Sequence, residues 1–144
     1  MESQEMGRVL VEATVENLKD LWEVESGRLA DAGVRRVTVA EALVDTGATT
    51  LSLPTRLIEQ LGLKKRASKR VSTSTGNSTA SLYDAVWLTI QDRECTVDVM
   101  EVPNQVPVLI GQVPLELLDF VIDPRRRTLV GNPAHGGEHV FELY

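Results

Sequence analysis

The chain has 144 residues, 42% of them hydrophobic and 25% charged, which fits one soluble globular domain with a real core and leaves no room for two ordinary lobes. A formal net charge of −6 and only six aromatic residues argue against a nucleic-acid surface. No apolar stretch approaches the ~20 residues needed to span a bilayer, and a single cysteine, Cys95, excludes an internal disulfide and a cysteine metal cage.

In chain order, the opening MESQEMGRVL has neither a basic n-region nor an apolar h-region, so a cytoplasmic protein is expected, with no sugar on the Asn77-Ser78-Thr79 sequon. Arg8 to Val15 reads as a strand, which Trp22 to Val24 continues after a turn at Glu16-Asn17. Ser26 to Gly33 is polar and reads as a loop. Val34 to Val44 alternates around Val37 and Val39 and runs directly into Asp45. A short helix follows, with Pro54 at its start, Leu57, Ile58 and Leu61 on one face, and Gly62 as its stop. The basic run Lys64, Lys65, Arg66, Lys69 and Arg70 reads as a solvated loop.

Val71 to Ser81 is rich in Ser and Thr around Gly76-Asn77 and predicts an exposed hairpin with its tip at Ser74, Thr75, Gly76 and Asn77. Leu82 to Ile90 and Glu94 to Met100 predict two strands joined at Gln91-Asp92-Arg93; Cys95 lies in the second as a buried thiol. Val106 to Ile110 is a continuous apolar run closed by Gly111, hence a fully buried strand. Pro114 to Leu118 is a second short helix, and Phe120 to Ile122 with Thr128 to Val130 form a hairpin around Arg125, Arg126 and Arg127. Residues 131–144 are a tail whose apolar stretch at Val140-Phe141 suits a dimer-interface strand. His135 and His139 flank Glu138, but the intervening Gly136 and Gly137 disfavour a helix, so no metal site is expected and the histidines read as incidental.

Asp45 has a distinctive setting. An apolar strand ends in a carboxylate followed by the small residues Thr46, Gly47 and Ala48. The sequence Asp45-Thr46-Gly47-Ala48, the hairpin at Gly76, and Leu109-Ile110-Gly111 before a short helix occur in an order that resembles retroviral-type, retropepsin-like aspartic proteases of the single-lobe kind. The similarity spans roughly Val9 to Val130. It implies a mainly β fold, a closed β-barrel with two short helices and one lobe per chain over residues 1–130. It also implies an endopeptidase with Asp45 as the catalytic residue, an active-site loop of Thr46, Gly47, Ala48 and Thr49, a flap at Ser74 to Asn77, and Leu109, Ile110 and Gly111 as support. No metal or organic cofactor is implied.

The residue types carry their own chemistry. Hydrolysis by carboxylates needs one group to take a proton from water and another to give one, and two carboxyls about 3 Å apart share a proton and split those roles. No second Asp in the chain is followed by Thr-Gly or Ser-Gly, so the partner is expected from a second copy, in a homodimer that binds an extended peptide. Viral members continue the loop with acids and carry an Arg after the supporting glycine. Here Thr49, Thr50 and Gln112 stand at those places, so that ionic bracing is expected to be missing. The alternative is a non-catalytic peptide-binding or dimerisation module on the same fold.

Overall fold

The computed structural model describes residues 8–140. Strand β1 (Leu10–Asn17) sets the pattern for the sheet, turning Val11, Ala13 and Val15 inward and Leu10 and Glu12 outward. β2 (Arg36–Val44) pairs antiparallel with it. β3 (Leu51–Pro54), β4 (Lys65–Thr73), β5 (Gly76–Ile90), β6 (Arg93–Val102) and β7 (Leu109–Ile110) complete a sheet of order β1-β2-β7-β3-β6-β5-β4. Because β1 also pairs with β5, the strands close into a ring of six, and β4 hangs from β5 as an edge strand. The expected closed, mainly β architecture is present in this form. β8 (Phe120–Asp123) and β9 (Thr128–Gly131) form a separate hairpin turning through the three arginines, as the sequence predicts.

Inside the ring lie Val15, Leu51, Leu53, Val86, Leu88, Val99 and Ile110, all essentially inaccessible to solvent. Cys95 is among the buried residues, and burial pushes its thiol up to about 11, which suits a packing role. Helix α2 (Thr55–Leu61) plugs one end with Leu57, Ile58 and Leu61, each contributing about 1.5–3 kcal/mol of burial. Its stop is Gly62, whose left-handed φ of 68° a residue with a Cβ adopts poorly. Helix α3 (Gln112–Leu117) directly follows β7.

Four expectations are corrected. Among the described residues there are three α-helices where two were expected: Leu18–Glu25 forms helix α1, so Trp22 to Val24 does not continue the sheet. Asn17 is its N-cap and accepts a 2.9 Å hydrogen bond from the Asp20 amide. The basic run is no loop, since Lys65 through Arg70 lie in β4. The strand beginning at Leu82 starts six residues earlier, as one 15-residue strand from Gly76. Val106 to Ile110 is strand only at Leu109–Ile110, because Pro107 supplies no donor and Val106 closes a turn onto Pro103.

The tail contains a 3-10 turn at Pro133–His135 and no strand between residues 132 and 140; Phe141 and the rest of the proposed interface stretch lie outside the described residues. Its histidines are not incidental. His135 Nδ1 lies 2.6 Å from an Asp119 carboxylate oxygen, and His139 Nε2 lies 2.9 Å from the Leu117 carbonyl, so both fasten the tail to the corner between α3 and β8. No cluster of three or more metal-ligating side chains occurs among the described residues. No described helix is long and apolar enough to cross a membrane.

Candidate active site

β7 is wedged between β2 and β3, parallel to the first and antiparallel to the second. That wedge holds the ends of the Asp45 loop. The Leu43 amide donates to the Val108 carbonyl at 2.8 Å, the Asp45 amide to Ile110 at 2.9 Å, and on the return side the Gly111 amide to Thr50 at 3.0 Å. The first two amides of α3 continue the lacing, Gln112 to Ala48 at 2.9 Å and Val113 to Thr49 at 2.8 Å. Backbone hydrogen bonds therefore fix the loop where Thr49 and Gln112 supply no ion pair.

Two glycines make the approach possible. A Cβ on Gly111 would lie 2.7 Å from the Ala48 carbonyl oxygen and closer still to that of Thr50, and neither backbone atom can swing aside. Within the loop, the Gly47 amide donates to Asp45 Oδ1 at 2.9 Å and the Ala48 amide to the Asp45 carbonyl at 3.0 Å, a turn that aims the carboxylate. Asp45 and Ala48 are half-buried, whereas Thr46, Gly47 and Thr49 are exposed. Thr50 anchors the far end of the loop by donating its hydroxyl to the Asp98 carbonyl at 2.6 Å.

Beside the loop opens a cleft of about 550 Å³. Gly47, Ala48, Thr49 and Thr50 form one side, and Lys69, Arg70, Val71 and Ser72 of β4 form the other. Ser52, Leu82, Asp98 and Met100 complete it. The arm made by β4 and the outer half of β5 turns at Ser74-Thr75, with Thr73 opposite Gly76 and Ser72 opposite Asn77. Gly76 has φ of 124° and open space around the position of a Cβ. The Thr73 hydroxyl donates to the Gly76 carbonyl at 2.7 Å and ties the tip together.

Every site residue predicted from sequence thus belongs to one of three parts: the loop, its wedge, or the arm beside the cleft. Asp98 and Met100 were not foreseen. Their signal is the alternation of β6, which buries Val97 and Val99 and turns the intervening residues to the other face.

A second groove, of about 490 Å³, lies at the corner where the tail is fastened. There burial acts to raise the Asp119 carboxyl, but hydrogen bonds from His135, the Val140 amide and Asn132 outweigh it and hold the group below the ordinary range. Asp119 is a structural acid: its oxygens are occupied, and it takes no part in the loop at Asp45.

The sequence pattern of the aspartyl protease family matches residues 28–113, a span that contains the Asp45 loop, the arm and the β7 wedge and ends in α3. A comparison with curated proteins returned no match. With more than half of the chain matched, the protein belongs to the aspartyl protease family, of the retropepsin-like clan, and that membership supports protease activity.

Proposed function

We propose that the protein is an aspartic endopeptidase whose active site forms when the Asp45 loops of two copies meet on a two-fold axis. The observation that carries this reading is the carboxylate of Asp45, oriented by the Gly47 amide and held by the wedge beside an open cleft. The chain supplies one Asp-Thr-Gly loop, and two carboxyls are needed to hold one shared proton between them. Thr46 and Gly47 are exposed on the single chain and so are available to a second loop.

In the mechanism, the ionised carboxylate takes a proton from water as the water oxygen attacks the peptide carbonyl carbon. The protonated partner gives its proton to the carbonyl oxygen. Collapse of the tetrahedral intermediate breaks the C–N bond, and the leaving amine receives the proton held by the dyad. A gem-diol hydroxyl gives its proton to the other carboxylate, which forms the carboxyl product and restores the shared proton. The arm closes over the substrate, which lies extended so that β4, an edge strand, can pair with its backbone.

Cleavage of a peptide library by the purified protein, with Asp45→Asn beside it, tests the proposal. The Asn side-chain oxygen can still accept from Gly47, so folding is expected to survive while the rate falls by several orders of magnitude. Near-normal cleavage by the variant would sink the mechanism, and failure of the unmodified protein to cleave would favour the binding module.

A further inference from the structure

The arm that borders the cleft carries the opposite charge to the molecule as a whole. In a chain of net charge −6, residues 64–82 hold five of the fifteen Lys and Arg residues and no Asp or Glu. Of those five, Arg66 is ion-paired with Asp84. Among the described residues Lys64, Lys65, Lys69 and Arg70 have no ion pair.

Strand register decides which of them meets a bound peptide. Lys69 is opposite Ala80, and Ala67 is opposite Leu82; directly opposed residues in an antiparallel pair share a face. Leu82 lines the cleft, so Lys69 stands on the cleft face; Arg70 also borders the cleft, but alternation turns it away from the face that Lys69 and Leu82 share, and there it adds to the field. The floor has the contrary sign. Asp98 shares the face of Met100, between the buried Val97 and Val99, and its backbone is fixed by Thr50. Its carboxylate has no ion pair among the described residues.

We propose that this arm selects peptides with Asp or Glu at a side chain directed toward β4, with Lys69 as the specificity-determining contact, and that Asp98 rejects the same charge in side chains directed to the floor. The inference rests on the peptide-binding reading above. Unpaired cations gathered on one edge strand repel one another, and an anion arriving beneath them relieves that repulsion and is drawn in by their summed field. A basic strand that only added to a general field would favour Glu over Gln alike at every peptide position.

The test uses labelled peptides that differ only by Glu, Gln or Lys at one position, scanned along the sequence. Binding to Asp45→Asn is read by fluorescence anisotropy, with cleavage by the unmodified protein measured in parallel. At positions facing the arm, Glu is expected to bind roughly tenfold more tightly than Gln at low salt, and about two- to threefold at high salt, because the cations are exposed and screened. Lys69→Gln should remove most of this preference and Lys69→Gln with Arg70→Gln nearly all of it. Asp98→Asn should extend tolerance of Glu to the remaining positions. Equal binding of Glu and Gln peptides throughout, or an unchanged preference in the Lys69 variants, would overturn the proposal. Since binding is read in a chain without the reacting carboxylate, a failure to cleave would count against the protease reading and not against the charge preference.

Discussion

Asp45 is aimed by its own loop, but the loop is placed by a residue 66 positions later, Gly111. Gly111→Ala pushes a methyl group into two backbone carbonyls that already accept hydrogen bonds from this segment. The expected cost is about 2–4 kcal/mol, with displacement of the loop and loss of cleavage. Urea denaturation checks it, and a change under about 0.5 kcal/mol would mean the wedge is softer than its packing indicates. A second acid acts far from the site. Asp20 is buried and accepts from the Arg35 amide at 2.9 Å, from Nε at 2.8 Å and from a terminal nitrogen at 3.0 Å. The Arg35 guanidinium holds its carboxyl below the ordinary range, against the opposing effect of burial. A carboxyl lowered on folding contributes stability that is complete above the unfolded-state value of about 4 and is lost as pH falls through the lower folded value. Thermal melts of the unmodified protein should therefore lose stability on acidification below about pH 4, and Asp20→Asn should be less stable at neutral pH with a shallower acid decline. Parallel pH profiles for the two proteins would remove Asp20 from the account.

At the scale of elements, the arm is expected to affect function more than folding. Gly76 sits at φ of 124° with nothing near the position of a Cβ, so Gly76→Val strains the tip without disturbing the core. Its stability cost is expected at about 1–3 kcal/mol, with a proportionally larger drop in kcat/KM because closure over the substrate is impaired. Equal losses would make the hairpin a purely structural turn. Helix α1 gives the opposite case. Asn17 caps it and also donates to the Leu61 carbonyl at 2.8 Å, joining α1 to α2, so Asn17→Ala should cost about 2–3 kcal/mol by chemical denaturation and spare the pH dependence of any cleavage. These two elements also mark where the sequence is hard to read. The loop, its supporting Leu109-Ile110-Gly111 and the last hairpin are legible because burial, glycine and turn residues mark them locally. α1 is obscured because it is only eight residues long and its Trp22 and Val24 favour strand, although Leu18, Leu21 and Trp22 have helical spacing. Yet Asn17 with Asp20 three residues on was a start signal. β4 is obscured for a different reason: eight of its nine residues are exposed, so no hydrophobic alternation separates a charged strand from a charged loop.

At the scale of the molecule, the closed ring explains how a two-residue strand can govern the site. β7 is too short to be stable alone, but both its edges are paired inside a closed sheet, and the core residue Ile110 is fully buried. The ring thus holds one Asp45 loop firmly in each chain. If the proposed dimer is the enzyme, activity must depend on both halves, and mixing distinguishes this from a self-sufficient monomer. Unmodified protein combined with an equal amount of Asp45→Asn, allowed to exchange subunits at a concentration where dimers form, should give pairs in random proportion. Only pairs with two intact carboxyls hydrolyse, so about a quarter of the starting dimer activity per total protein should remain. A catalytic monomer would retain about half under the same conditions. Dilution provides the companion measurement. With backbone bonds in place of charges at Thr49 and Gln112, no ionic brace is expected across the axis, so specific activity should fall in dilute solution as dimers dissociate, in step with the sedimentation coefficient. A specific activity constant across a range in which sedimentation finds only monomer would rule out a site shared between two copies.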